Sequence, residues 1–159
     1  MTSADNPVPD RQSVVPYLMV RDSRAAIDFY VAAFGARERV CMALPDGRIA
    51  HAEIELSGNQ VWLADEVPEL GCAGPATLGG AGAMLFAYVA DVDDLLPGAV
   101  AAGAVIVRPL ANQFWGDRTV TVRDPFGHVW TLATRVERMS REEALARAGV
   151  GQGGAGPTA

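Results

Sequence analysis

The sequence predicts an α+β fold built from two βαβββ modules in tandem. Three observations predict it: an order of strand and helix patterns, the return of that order later in the chain, and residues that recur at a fixed offset. Within the 159 residues, Val20 and Val89, Asp22 and Asp91, Gly58 and Gly127 are each 69 apart, as are Val31-Ala32-Ala33 and Val100-Ala101-Ala102, and Leu63-Ala64 and Leu132-Ala133. Ala and Val are abundant, so a single match means little, but matches at equivalent points of two identical element orders mark an internal repeat.

In the first module, residues 14–20 (VVPYLMV) form an apolar strand candidate, and Asp22 or Ser23 then caps a helix carrying Ala26, Ile27, Phe29, Tyr30, Ala33 and Phe34. Gly35 stops that helix. Strands follow near 37–43, 48–56 and 60–64, punctuated by Pro45-Asp46-Gly47 and Ser57-Gly58-Asn59. In the second module a strand from Met84 to Val89 leads to a helix over about residues 93–102, with Gly103 as its stop. Strands near 104–109, 117–123 and 128–134 complete it, the last opened by an Asp-Pro-x-Gly turn in which Pro125 presets φ and Gly127 accepts a positive one. The modules are set at 13–66 and 83–136 within a domain of 13–138. Between them, 67–82 is rich in Gly, Pro and Ala and reads as a linker, and a loop of that length in a compact protein is often functional or mobile. Residues 1–12 read as disordered, and 139–159 as a short helix opened by the capping box Ser140-Arg141-Glu142-Glu143, followed by a flexible tail.

Composition narrows the function classes. Half the residues are hydrophobic and 20% charged, ordinary for a globular protein. A net charge of −6 and a pI near 4.8 speak against nucleic acid or an anionic membrane surface as partner, since both require clustered Lys and Arg. Cys41 and Cys72 have neither metal-type spacing nor a disulfide framework and read as reduced thiols of a cytoplasmic protein. No stretch approaches the roughly 20 apolar residues that span a bilayer, and the start lacks the apolar core of a signal peptide.

The paired modules, the phrase VRDSRAAIDFYVAAFGA and the phrase FWGDRTVTVRDPFGHVWTLAT together resemble the vicinal oxygen chelate superfamily of glyoxalases, bleomycin-resistance proteins and dioxygenases. Within it, HAEIEL, LADE and QFWGDR look most like the PhnB-like branch. The resemblance implies that each module curls its sheet into half a cleft, that the protein is a homodimer, and that the enzymes hold a divalent metal through His, Glu or Gln on the first and last strands of each module. Carried onto this chain, those four positions are Val15, Trp62, Met84 and Thr131, paired by the same 69-residue offset. Val and Trp donate nothing to a divalent metal, a thioether is soft and a neutral hydroxyl weak, so no metal or other cofactor is expected.

Other residues remain able to act. His51, Glu53 and Glu55 alternate along one strand and share one face of the sheet. That face either meets the cleft, with His51 as proton carrier and Glu53 as its orienting partner or base, or is a solvated face with Ala50, Ala52, Ile54 and Leu56 packed inward. Val15, Tyr17 and Met19 share a face of the first strand, and Met84, Phe86 and Tyr88 the corresponding face of the second half. With Trp62, Phe114, Trp115, Trp130 and Thr131 they suggest a cleft for a planar or apolar ligand, although many such residues simply fill core. Arg118 could clamp an anionic group or pair with Asp117 or Asp124, and an exposed imidazole is the ordinary expectation for His128. The expected function is metal-free binding of a small molecule, as in drug sequestration or resistance. Its rival is an enzyme of the same fold, of lyase, isomerase or dioxygenase type, working through His51 and Glu53 or an unusual metal set.

Overall fold

The computed structural model of this chain describes residues 14–149; the polar start and the glycine-rich tail lie outside the described residues. The first module comprises β1 (Tyr17–Val20), α1 (Ser23–Phe34), β2 (Arg37–Ala43), β3 (Ile49–Leu56) and β4 (Asn59–Asp65). One short helix, α2 (Pro75–Leu78), precedes the second module of β5 (Met84–Tyr88), α3 (Val92–Ala101), β6 (Val105–Asn112), β7 (Asp117–Arg123) and β8 (Val129–Arg135), and α4 (Arg141–Arg147) follows. The strands form two four-stranded sheets, ordered β1-β4-β3-β2 and β5-β8-β7-β6, in which only the pairs β1·β4 and β5·β8 are parallel. This is the α+β architecture of paired βαβββ modules that the repeat predicts.

Both long helices start on an aspartate. The Asp22 carboxylate accepts from the Ala25 N–H, and that of Asp91 from Asp93 and Asp94, satisfying donors that a first turn otherwise leaves open. Gly35 ends α1 in the left-handed conformation. Two strands depart from the sequence reading. β1 begins at Tyr17 rather than at residue 14, since Pro16 brings no N–H to a ladder, which leaves Val15 outside the strand. β6 runs past Pro109 to Asn112, because it is an edge strand whose register is irregular between Arg108 and Ala111, where a missing N–H costs little. α4 opens on Ser140 with both arms of the capping box formed.

Register carries the repeat into three dimensions. Tyr17 stands opposite Trp62 and Phe86 opposite Thr131, the same pairing moved by 69. The third strand of each module obeys a different offset: Glu53 faces Trp62 while Thr121 faces Thr131, so β3 maps onto β7 by 68. His51 and Glu53 therefore correspond to Thr119 and Thr121.

Each sheet has one face covered by helix. Ala26, Ile27, Tyr30 and Phe34 of α1 are buried with Leu18, Val20, Ala52, Ile54 and Leu63 of the first sheet, and Val92 and Ala99 of α3 with Val120, Val122, Trp130 and Leu132 of the second. Burying a side chain of this size stabilises by about 1.5–3 kcal/mol before the entropy of ordering it. Trp130 is buried in this core, its ring 5.4 Å from those of Tyr30 and Phe34, where it also borders the crevice lined by Met84, Phe86 and Tyr88. Its neighbour Thr131 takes the opposite face, and a strand cannot present both residues on one side.

A buried carboxylate ties the modules together. Asp124 accepts from the Tyr30 hydroxyl at 2.6 Å, from Trp130 Nε1 at 3.0 Å, and from the backbone N–H groups of Phe126 and His128 at 2.9 Å. His128 is buried rather than exposed, with Nε2 donating to the Met19 carbonyl across the module boundary at 3.1 Å. The linker is also built in: Glu66 accepts from Gly74 N–H and the Thr77 hydroxyl, and Arg21 donates to Thr77 and to the Ala76 carbonyl. A Cβ at Gly74 would lie 2.3 Å from the Met19 carbonyl oxygen, so only glycine lets the two backbones approach so closely. Among the described residues no helix is long and apolar enough to cross a membrane.

Candidate functional site

The face of the first sheet that α1 leaves uncovered carries Tyr17, His51, Glu53 and Trp62. Register puts Tyr17 and Glu53 on either side of Trp62, and alternation puts His51 beside Glu53 on the same side. Tyr17 Oη lies 2.9 Å from His51 Nδ1, and His51 Nε2 lies 3.2 Å from Glu53 Oε1. The rings of Tyr17, His51 and Trp62 meet edge to face in all three pairings, with centroids 5.2 to 5.7 Å apart. Trp62 Nε1 donates to Gln60 Oε1 at 3.2 Å. Burial first, and then the nearby Cys72, push the Tyr17 phenol above its ordinary pKa. Glu55 continues the same face but is paired with Arg39 at 2.7 Å. Ala52, Ile54 and Leu56 pack inward, whereas Ala50 is exposed, beside the register irregularity between Met42 and Ala43. Tyr17, Met19 and Ala64 also line a crevice of about 310 Å³ that reaches Leu44 and Cys72.

The second sheet's uncovered face carries Met84, Phe86 and Tyr88 over a floor of threonines. Thr131 shares a hydrogen bond with Thr121 at 2.9 Å, and its Oγ1 lies 3.3 Å from Met84 Sδ. Tyr88 joins a different group: its hydroxyl donates to Asp117 Oδ2 at 2.9 Å, Trp115 Nε1 donates to the same oxygen at 2.8 Å, and Arg135 donates to Asp117 Oδ1 and to Tyr88 Oη. Burial alone would raise the Asp117 pKa, but the hydrogen bonds from Arg135, Tyr88 and Trp115 outweigh it and hold the carboxyl below its usual range. Met84, Phe86 and Tyr88 line a crevice of about 580 Å³ shared with Pro16, Gln60 and Val61 of the first module. Phe114 lies edge to face with Trp115 at 4.8 Å.

The residues proposed from sequence thus form two sets, and none of the ring contacts joins one open face to the other. Arg118 belongs to neither. It lies between Asp117 and Thr119 on the helix-covered side, and its guanidinium forks onto Asp93 of α3 at 2.6 and 2.8 Å, not onto Asp117 or Asp124. Sequence reasoning missed Arg135, and it named Asp117 and Asp124 only as partners for Arg118. Asp117 stands directly opposite Arg135 in the ladder, a cross-strand charge pair that two strand assignments in register would have exposed.

The metal positions implied by resemblance can be tested against this donor set. The Trp62 N–H is given to Gln60, the Thr131 hydroxyl lies between Thr121 and Met84, Met84 brings a thioether, and Val15 has no donor atom. Among the described residues no three His, Cys, Asp or Glu side chains come together as a metal-holding group. These positions do not fit a divalent ion.

Residues 12–132 match the family model described as the Glyoxalase/Bleomycin resistance protein/Dioxygenase superfamily. The chain belongs to that superfamily. Members similar to it include uncharacterized proteins of Mycobacterium bovis and Mycobacterium tuberculosis, each 42% identical over 135 residues and covering 82% of this chain and 88% and 79% of theirs. TioX from Micromonospora sp. ML1 superposes with a TM-score of 0.62 at 32% identity, covering 78% of this chain and 98% of its own. A gene product of Arabidopsis thaliana does so with a TM-score of 0.61 at 30% identity, covering 77% and 98%. The superfamily fold also contains the fosfomycin resistance protein FosX of Listeria monocytogenes, in complex with manganese(II) and sulfate, with a TM-score of 0.61 at 17% identity and coverage of 87% and 98%.

Proposed function

We propose that the protein binds a planar, largely apolar small molecule on its open sheet faces, without the divalent metal used by enzymes of the superfamily, in the manner of a sequestering or resistance protein. The observation that carries this reading is the exposure of large apolar side chains where no helix covers the sheets: Tyr17 is 44%, Phe86 49%, Tyr88 48% and Met84 51% exposed. Large apolar side chains left open on a sheet face, with polar groups beside them, mark a site that something else covers. A homodimer fits the same observation, because each chain offers two half-sites on separate sheets, and Val40 and Met42 on the edge strand β2 are exposed as well. The partners are then a small aromatic or apolar ligand and a second copy, with nucleic acid and membrane disfavoured by the acidic charge. Two free thiols, Cys41 and Cys72, accord with the cytoplasm. The phrases HAEIEL, LADE and QFWGDR, which look like the PhnB-like branch, lie on β3, β4 and the approach to β7 and support a reading of the protein as a member of that branch.

Trp62 is the stacking platform in this reading. Trp62→Ala weakens binding of an aromatic probe by about 2 kcal/mol, roughly thirtyfold, when measured by calorimetry. Unchanged affinity would remove the proposal. A second reading, proton transfer on a carbonyl or enolizable substrate, is favoured by one observation, the chain Tyr17–His51–Glu53, which orders a phenol, an imidazole and a carboxylate as a nucleophile, base and orienting group are ordered. His51→Ala separates the two: it abolishes turnover in the second reading and preserves apolar contact in the first.

A further inference from the structure

The hydrogen bonds of the open faces have a direction. A carboxylate can only accept, so His51 Nε2, facing Glu53, is the donor of that contact, and whenever the ring holds a single hydrogen Nδ1 is an acceptor to which the Tyr17 hydroxyl donates. Trp62 gives its N–H to Gln60, Trp115 gives its N–H to Asp117, and Tyr88 gives its O–H to the same carboxylate. Four aromatic donors on two faces are thus all turned inward. What they present outward is ring surface and phenolic oxygen lone pairs. The two phenols differ in one respect: Tyr88 Oη also accepts from Arg135, so Tyr17, a side chain 44% exposed, is the one whose oxygen lone pairs are left for a ligand. Donation to His51 polarises that oxygen and makes it a better acceptor.

We infer that the first open face selects an aromatic ligand bearing an O–H or N–H donor, which Tyr17 Oη accepts while Trp62 packs against the ring. This rests on the binding function proposed above and adds the chemistry of the ligand. A hydroxyarene gains a hydrogen bond to Tyr17, whereas its methyl ether brings lone pairs against lone pairs and leaves the phenolic oxygen unsatisfied. The chain that sets this polarity makes Tyr17 a specificity-determining residue, with His51 and Glu53 positioning its hydrogen.

Two measurements on the full chain test the inference. Calorimetry with β-naphthol and its methyl ether reads the ligand preference, expected to be about tenfold for the hydroxyl. In Tyr17→Phe, which keeps the ring, that ratio falls to about one, through loss of β-naphthol affinity alone. In His51→Ala the Tyr17 hydroxyl is released to donate, and binding of the methyl ether improves. The second measurement uses no ligand. The chain has two histidines, so isotopically labelled histidine with His51→Ala as the assignment control reads the His51 tautomer by nitrogen NMR in mildly alkaline buffer. The hydrogen is expected on Nε2. A hydrogen on Nδ1, or equal affinity for the two probes in the unaltered protein, overturns the inference and leaves the binding function standing. Failure of both probes to bind overturns the binding function and this inference with it.

Discussion

The two open sheet faces descend from the same element order yet hold their polar groups in different ways. On the first, a tyrosine, a histidine and a glutamate form a chain near solvent, with His51 and Glu53 half-buried. On the second, the residues at the matching places are Phe86, Thr119 and Thr121, and the polar cluster has moved to the end of the sheet, where Asp117 is fully buried beneath Tyr88, Trp115 and Arg135. The difference separates a network built to hold structure from one built at a surface. A buried carboxylate with three donors has nowhere else to find partners, while a half-exposed chain can exchange its own bonds for water or for a ligand.

The comparison is broken most strongly at Asp117. Asp117→Ala leaves the Arg135, Tyr88 and Trp115 donors without their acceptor and is expected to cost about 3–5 kcal/mol in denaturant unfolding. A loss below about 1 kcal/mol would put the second cluster in the same class as the first. The same carboxylate sharpens the contrast through pH. Its folded pKa is depressed, so its stabilisation is present above the unfolded value of about 3.9 and is lost as pH falls through the folded one. Asp117→Asn therefore flattens the acid limb of the stability profile, read from thermal midpoints across the acid range. On the first face, His51→Ala is expected to cost only about 0.5–1.5 kcal/mol, because water replaces the imidazole on both Tyr17 and Glu53. The smallest effect belongs to Arg118→Ala, which removes an exposed fork onto Asp93 worth about 0–1 kcal/mol and leaves probe binding unchanged, since that guanidinium faces the helix.

How far this was legible in the sequence follows from which signals are local. Strand and helix positions, the Asp22 and Asp91 caps and the repeat rest on short-range patterns and fixed offsets, and the structure has them. The grouping of Tyr17, Trp62, His51 and Glu53 required only alternation plus pairing. Alternation also puts Trp130 on the face opposite Thr131, and Arg118 on the face opposite Asp117 and Thr119. The shift from 69 to 68 on the third strands was hidden, because it arises from unequal connections, Ser57-Gly58 in one module and the five residues 124–128 in the other. Asp124 was hidden for another reason. Its turn reads as Asp-Pro-x-Gly wherever that motif occurs, and nothing near it announces a tyrosine bound from a distant helix.

That tyrosine has a consequence for the order in which the chain becomes a protein. Tyr30 is buried in the first module, yet its hydroxyl bonds to Asp124, 94 residues further on. As the chain leaves the ribosome, the first half emerges with a core position whose polar end has no acceptor, and with Phe34 lacking the Trp130 ring it later packs on. The first helix has its own sheet to close over, but its tyrosine hydroxyl and its last phenylalanine find these partners only after residues 124–130 have been made.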